Sequence, residues 1–327
     1  MKISVSDALK NTRVILYPTK GRPVDQTVAE SMVSELAPSA KVFSVQKIRA
    51  KLGDGTLTVS IADEYLPHSF SCRASNRSTG KWMTFRIAES GNGELVASHS
   101  HLLYALFCLI KGDWADQDVA GFTKGRTVKP TFVWLRNLND FFVGSLRKAR
   151  HFDREEFVKQ LARQGFSHIT INGLGVDRPF ESGPPGDVYS WFYDYSPDLD
   201  QFVDSELLRG YYPSDYLQAN LSFLKRNSAL ATKYGLTPGL HINSPRSMPE
   251  EFWSRYGFLR GARIDHPRES FRPRYTLAMA HPIVQQHYRE LVRKIMADVP
   301  EIGFIHVWTN DSGSGFEFVT SLYAGRN

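Results

Sequence analysis

Polar and flat aromatic residues stand at the ends of four short apolar segments in the second half of the sequence. These segments, 132–138, 168–171, 239–242 and 303–308, have the length and bounding turn residues of buried β-strands. The residues at their carboxyl ends are Trp134, Arg136 and Asn137, then Asn172, then His241 and Asn243, then His306, Trp308, Asn310 and Asp311. Amides and guanidinium groups bind hydroxyls, and indoles stack on apolar sugar faces. The set therefore predicts a site for a hydroxyl-rich ligand.

Asp311 is the residue in this set whose chemistry is catalytic. A carboxyl group at a strand end, beneath Trp308, is partly desolvated, and desolvation raises its pKa. Such a group can act as a general acid on a glycosidic oxygen. The alternative is that Asp311 only stabilises a turn, as the sequence Asn-Asp-Ser-Gly commonly does. Glu317, six residues on, is the second candidate for the acid.

The histidines and asparagines at the strand ends have two interpretations each. His241 would bind a hydroxyl or tune a carboxylate, or else be structural. Asn172 and Asn243 adjoin turns, so a turn role competes with ligand binding. His306 alternates with Trp308 along its strand, and we expect it deeper in the protein, in a packing role.

Helices separate these strands, and the order strand–helix–strand positions the strand ends together. Helical spacing of apolar residues appears after Asp153, over 216–234 and after Pro282. Such connections imply parallel strands and right-handed crossovers, and α/β barrels carry their active sites at the carboxyl ends of the strands. We therefore predict an α/β fold with an incomplete (β/α)8 barrel of about four strands.

The length of the second half supports this interpretation. Residues 130–327 number 198, whereas a closed barrel needs about 250. Half a barrel would leave an open sheet edge and an exposed core face. We therefore expect a chain truncated at its carboxyl end, which by itself is poorly soluble and inactive.

The first 128 residues predict a separate small α+β domain. Strand-like segments at 12–17, 42–45, 57–61, 82–87 and 95–97 accompany a helix over 23–36, and an apolar helix over 102–110 closes the domain. Ser98 or Ser100 can cap that last helix, and His99 and His101 are interpreted as helix-start residues. The predicted domains are thus 1–128 and 129–327, the second being the first half of a catalytic barrel.

Composition excludes several classes of function. The net charge of +6 is mild for this length and the lysines are scattered, which is not the clustered pattern of a nucleic-acid-binding protein. Cys72 and Cys108 are too few for a disulfide scaffold, no Cys/His cluster indicates a metal, and no motif indicates a cofactor.

No apolar run is long enough for a membrane span. Residues 1–11 lack a signal core, so we expect a cytoplasmic protein if Met1 is the authentic start. No oligomeric state is predicted.

Arginine is concentrated between residues 246 and 274. The seven arginines are Arg246, Arg255, Arg260, Arg263, Arg268, Arg272 and Arg274. They could bind an anionic substrate through forked hydrogen bonds, which would favour an acidic sugar such as a uronic acid. A solvated loop with internal ion pairs is the favoured interpretation.

Three segments resemble known glycoside hydrolases. Residues 97–112, 234–245 and 300–315 are similar to segments of the α-glucuronidases and β-hexosaminidases, in which a small α+β domain precedes a barrel whose fourth strand carries the acid. The resemblance places Asp311 at the general-acid position, with Asp where the α-glucuronidases have Glu. Where the β-hexosaminidases have an Asp-Glu pair, this chain has Asn310-Asp311, which argues against their acetamide-assisted mechanism. The α-glucuronidases invert, so a second carboxylate about 6.5–9.5 Å away is implied from later strands.

Three hypotheses follow. The first is a glycoside hydrolase without cofactor or metal, in which Asp311 is the acid and the second carboxylate comes from sequence beyond this chain. Its substrate-binding residues are Arg136, Asn172, His241, Asn243, Trp308 and Asn310. The alternative is a non-catalytic carbohydrate-binding protein on the same scaffold. The third is a metal-dependent lyase or hydrolase using His241, His306 and Asp311, whose spacing is unlike that of known metal ligands.

Overall fold

A computed structural model of the chain describes residues 2–46, 53–62, 81–130, 153–173, 198–242, 248, 250–264 and 274–307. The chain divides into two compact units. The first comprises Met1–Arg136, Glu155–His168 and Leu230–Thr237, and the second comprises Asn137–Arg154, Ile169–Ala229 and Pro238–Asn327. The domain boundary expected after residue 128 stays a prediction.

A six-stranded mixed sheet forms the centre of the first unit. The strands are β1 (Val14–Pro18), β2 (Lys41–Val45), β3 (Thr56–Ile61), β4 (Met83–Ile87), β5 (Gly93–Ala97) and β6 (Arg126–Val128). Their order in the sheet is β2-β1-β3-β5-β4-β6. Strands β2, β1, β3 and β5 are parallel to one another, and β4 is antiparallel to its neighbours β5 and β6. The helices are α1 (Val5–Lys10), α2 (Pro23–Glu35), α3 (Ser100–Lys111) and α4 (Arg154–Arg163).

Helices α2 and α3 pack on this sheet and complete its core. Strand β3 is buried along its whole length, as expected for a parallel strand covered on both faces. Pro23 begins α2, where its missing N–H costs nothing, and the backbone N–H of Arg22 donates to Asp25 Oδ2 (2.8 Å). The apolar face predicted for α3 is largely buried, including Leu103 and Phe107.

A three-stranded sheet of order β11-β8-β7 runs through the second half of the sequence. Strands β8 and β11 are parallel and in register, with His241 opposite His306. The elements here are β7 (His168–Thr170), α5 (Ser214–Lys233), β8 (Thr237–Ile242), α6 (Glu250–Tyr256), β9 (Arg260–Ile264), β10 (Arg274–Leu277), α7 (Pro282–Asp298) and β11 (Phe304–Val307).

The described part of the arginine-rich segment is ordered structure, not a solvated loop. Helix α6 is followed by an antiparallel pair, β9 and β10. Phe252, Trp253 and Leu277 are buried in one apolar cluster. The guanidinium of Arg260 lies over the rings of Trp253 (5.7 Å) and Tyr275 (4.9 Å). The favoured interpretation of this segment was therefore wrong here, because its aromatic side chains form a core.

The mixed α/β architecture is confirmed, and the barrel stays a prediction. Within the described residues, the second half of the sequence contains a three-stranded sheet in which β8 and β11 are parallel, and a two-stranded antiparallel pair. The strand predicted over 132–138 lies outside those residues. Across the same described ranges, none of the helices is long and apolar enough to cross a membrane.

Candidate functional site

Two strand ends in the second unit bring histidines together. The in-register pairing of β8 with β11 places the His241 and His306 rings 4.8 Å apart, centroid to centroid, in an edge-to-face arrangement. The His241 side chain is buried, whereas His306 is exposed. The expectation that His306 lies deeper in the protein was wrong, because its strand position near the end of β11 leaves the ring at the surface.

Asn172 fixes the end of β7 to β8. The side chain is fully buried. Its Nδ2 donates to the carbonyl oxygen of His241 (2.6 Å), and its Oδ1 accepts from the His241 backbone N–H (3.0 Å). A second amide, Asn227 Nδ2, donates to the carbonyl oxygen of Ile171 (2.8 Å). The amide of Asn172 therefore binds the backbone of β8.

The remaining predicted site residues lie outside the described part of the chain. These are Arg136, Asn243, Trp308, Asn310 and Asp311, and the second candidate acid Glu317. Among the predicted residues that are described, Asn172 and His241 are brought together. In the same described ranges, no group of three or more His, Cys, Asp or Glu side chains is arranged to hold a metal ion.

A second polar centre, which the sequence did not single out, lies in the first unit. A cavity of about 280 Å³ is bounded by residues from the amino end of α3, the segment before β4, and the segments entering β7 and β8. Its lining is Arg22, Ile61, Lys81, Ser98, His99, Ser100, His101, Ser167, His168 and Thr237. The sequence signal was the pair His99 and His101 beside an apolar helix. Lys81 and His168 are distant along the chain, so spacing alone could not join them.

Hydrogen bonds and a ring contact join the side chains in this cavity. Lys81 Nζ lies 3.2 Å from His101 Nε2, and the rings of His99 and His101 are 5.6 Å apart. His168 Nδ1 contacts Ser167 Oγ at 2.7 Å. Residue His99 is the N-cap of α3, so its interpretation as a helix-start residue is confirmed.

Burial and mutual repulsion lower the pKa values of these groups. Burial lowers the pKa of His101 to about 3, and the charges of Lys81, His99 and His168 act in the same direction. Burial also lowers the pKa of Lys81, and burial followed by the charge of Lys81 lowers the pKa of His168. The surroundings of Lys81, His101 and His168 therefore disfavour the positively charged form of each side chain.

A second cavity of the first unit has mixed charge and a cysteine. It measures about 310 Å³, lies between α3 and α4, and includes the ion pair of Lys111 with Glu35. Cys108 lines it and is only half-buried. Burial raises the pKa of the Cys108 thiol to about 11, which makes it a poor nucleophile at neutral pH.

Neither a protein-family model nor a curated protein matches the sequence. Solved structures that align with it include a family 89 glycoside hydrolase from Clostridium perfringens in complex with PUGNAc (13% identity, TM-score 0.48, 73% of this chain and 30% of that chain). The N-acetyl-β-hexosaminidase of Streptomyces plicatus aligns at 12% identity and TM-score 0.43, over 91% of this chain and 55% of that chain. A family 115 4-O-methyl-α-glucuronidase, with specificity for decorated arabinogalactans, aligns at 13% identity and TM-score 0.47, over 96% of this chain and 38% of that chain.

All three are glycoside hydrolases, and this chain spans about a third to a half of their lengths. Because the TM-scores lie below 0.5, the likeness by itself assigns neither a fold nor an activity to this chain.

Proposed function

We propose that this chain forms one side of a glycoside hydrolase active site, with Asp311 as the general acid. The observation that carries the proposal is the in-register parallel pairing of β8 with β11, His241 opposite His306. Parallel strands that pair in register end at the same edge of a sheet. The segments that follow these two strands contain Asn243, Asn310 and Asp311, and the proposal places them around one sugar.

The Asn172 amide supports the same arrangement from the neighbouring strand. Its two hydrogen bonds to the His241 backbone hold the end of β7 against β8. We assign Asn172 a positioning role, and His241 a place in the wall of the subsite. Arg136 and Asn310 would donate hydrogen bonds to hydroxyls, and Trp308 would stack on the sugar ring.

The proposed reaction is hydrolysis of a glycosidic bond. The protonated carboxyl of Asp311 donates its proton to the glycosidic oxygen as the bond from that oxygen to the anomeric carbon breaks. Water supplies the hydroxyl at the anomeric carbon, and its second proton passes to a carboxylate on the other side of the sugar. That second carboxylate is not assigned among the 327 residues.

An acidic sugar, such as a uronic acid, is the proposed substrate class. The support is the concentration of arginines between residues 246 and 274. Arg260 and Arg255 lie over aromatic rings. The proposal therefore rests on the other five arginines of this segment, which are Arg246, Arg263, Arg268, Arg272 and Arg274. Matched aryl glycosides of glucose and glucuronic acid test this point. A higher kcat/KM for the glucuronide is expected, and equal turnover of the two would remove the preference for an acidic sugar.

The test of the activity is a panel of aryl α- and β-glycosides of neutral, N-acetylamino and uronic sugars, assayed with the full-length protein. We expect turnover of at least one glycoside and its loss in Asp311→Asn. The exposed Asp116 of the first unit gives a matched control, and Asp116→Asn should retain full activity. Saturable sugar binding without turnover would instead support the non-catalytic carbohydrate-binding alternative. Turnover undiminished in Asp311→Asn would overturn the assignment of the acid.

A further inference from the structure

We propose that the cavity at the amino end of α3 binds a small anion carrying a phosphoryl group. The cavity belongs to the first unit and involves none of the residues of the proposed glycosidase site, so this inference stands apart from that function. We call it the histidine cavity and define it by Arg22, Lys81, His99, His101 and His168.

The charge of the lining is one-sided. Two side chains, Arg22 and Lys81, are cationic and three are imidazoles, and none of the described residues that line the cavity is Asp or Glu. A cluster of like groups repels itself and gains free energy when an anion enters. Ser98, Ser100 and Ser167 add hydroxyl groups at the same wall, and hydroxyls also bind phosphoryl oxygens.

His101 and Lys81 form the inner part of the cluster. His101 is 6% exposed, and Lys81 Nζ lies 3.2 Å from its Nε2. The ammonium can only donate, so it directs one N–H at the imidazole nitrogen, and an ammonium has two further N–H groups. A phosphoryl oxygen beside the pair would receive a charge-assisted hydrogen bond from the ammonium, and a second from His101 once its ring takes up a proton.

The size of the cavity favours a small ligand. About 280 Å³ is near the lower limit for small-molecule sites, which suits a phosphate or pyrophosphate group and excludes a polymer. A phosphate monoester has a second pKa near 6 and three acceptor oxygens. It can therefore accept from several donors of the cluster at once, and as a dianion it carries more charge than a single carboxylate.

Binding should be coupled to proton uptake. The imidazole of His101 is faced by Lys81 from the segment before β4, by His99 from its own helix and by His168 from β7. Burial and these neighbours favour its neutral form. A bound dianion would reverse the sign of the local charge and raise the pKa values of His101 and His168, so protons should enter with the ligand.

The experiment is calorimetric titration of the full chain with inorganic phosphate and with pyrophosphate, each in two buffers of different ionisation enthalpy. We expect saturable binding, tighter for pyrophosphate, with proton uptake that grows as the pH falls from 8 to 6. Lys81→Gln and His101→Gln should each weaken binding by about tenfold, the value of one charge-assisted hydrogen bond. Lys159→Gln, in the mixed-charge cavity of the same unit, should leave binding unchanged.

The results of these titrations distinguish a specific anion site from a general effect of charge. No saturable binding of either anion, or binding that Lys81→Gln leaves unchanged, would overturn the proposal. Equal weakening by Lys159→Gln would also overturn it, since the effect would then be one of general charge. Lys81 is half-buried at the edge of the cavity, so Lys81→Gln keeps the test decisive even if His101→Gln does not fold.

Discussion

The side chain of Asn172, at the end of β7, forms two hydrogen bonds with the backbone of His241 in β8. Its Nδ2 donates to the carbonyl oxygen of His241, and its Oδ1 accepts from the His241 N–H. The two residues are 69 positions apart in the sequence. This one amide therefore links the end of β7 to the end of β8, at the edge where the proposed sugar site begins.

Replacing Asn172 should destabilise the second unit. Asn172→Ala leaves a buried N–H and a buried carbonyl without their partners, each of which costs about 1–3 kcal/mol. We expect the free energy of unfolding, measured by urea denaturation, to fall by about 2–4 kcal/mol. Asn11→Ala is the control, because Asn11 is exposed and the hydrogen bond of its side chain to the Glu89 carbonyl is at the surface. Equal losses in the two variants would argue against the amide link.

Stability should fall in mild acid because of a buried histidine. Burial lowers the pKa of His287 to about 4, and its Nδ1 contacts Ser205 Oγ at 2.7 Å. Between pH 6.5 and 4 the unfolded chain takes up a proton that the folded chain does not. His287 should therefore lower the free energy of unfolding by about 1.4 kcal/mol per pH unit as the pH falls, and His101, whose pKa burial lowers to about 3, should add a similar decrease. His287→Gln should flatten this slope, and a variant as pH-sensitive as the parent protein would contradict the prediction.

The turn at Gly235 should tolerate no side chain. Its φ is +81°, and a Cβ there would lie 2.4 Å from the carbonyl oxygen of Ser100. Gly235→Ala should cost about 3 kcal/mol or more, since a backbone clash adds to the left-handed conformation. Gly125 has a similar φ of +87°, but a Cβ there would make only an ordinary contact with Thr84, at 3.5 Å. Gly125→Ala should therefore cost about 1 kcal/mol.

Thermal denaturation of the two glycine variants checks this difference. A Tm for Gly235→Ala that equals or exceeds that of Gly125→Ala would mean that the segment 230–237 is not packed against the start of α3 as described.

Local sequence signals predicted most of the described elements. The residue Pro23 and the periodicity after it predicted α2, and the run 303–308 predicted β11 to within two residues. These signals work because helix starts and buried strands depend on neighbours in the chain. Non-local features escaped prediction. The position of β3 between β1 and β5 depends on pairing between distant segments, and no local pattern encodes it.

Helix α7 shows the same limit at single residues. The helical spacing of apolar residues after Pro282 includes Ile283 and gives no reason to bury His287. In the structure Ile283 is 44% exposed, and His287 is buried against Ser205. A polar partner 82 residues away decides the burial of His287. The candidate site behaves likewise, since Asn172 was recognised by its strand-end position, but its hydrogen bonds to His241 could not be foreseen.

The most direct test of the glycosidase proposal is the dependence of Asp311→Asn on the leaving group. A general acid matters most when the departing oxygen is strongly basic, so its removal should lower kcat/KM for an alkyl or sugar leaving group by about 10²–10⁴-fold. A glycosyl fluoride with the same sugar needs little protonation, and its kcat/KM should fall far less. If Asp311→Asn leaves both substrates unaffected, or slows both equally, Asp311 is not the general acid.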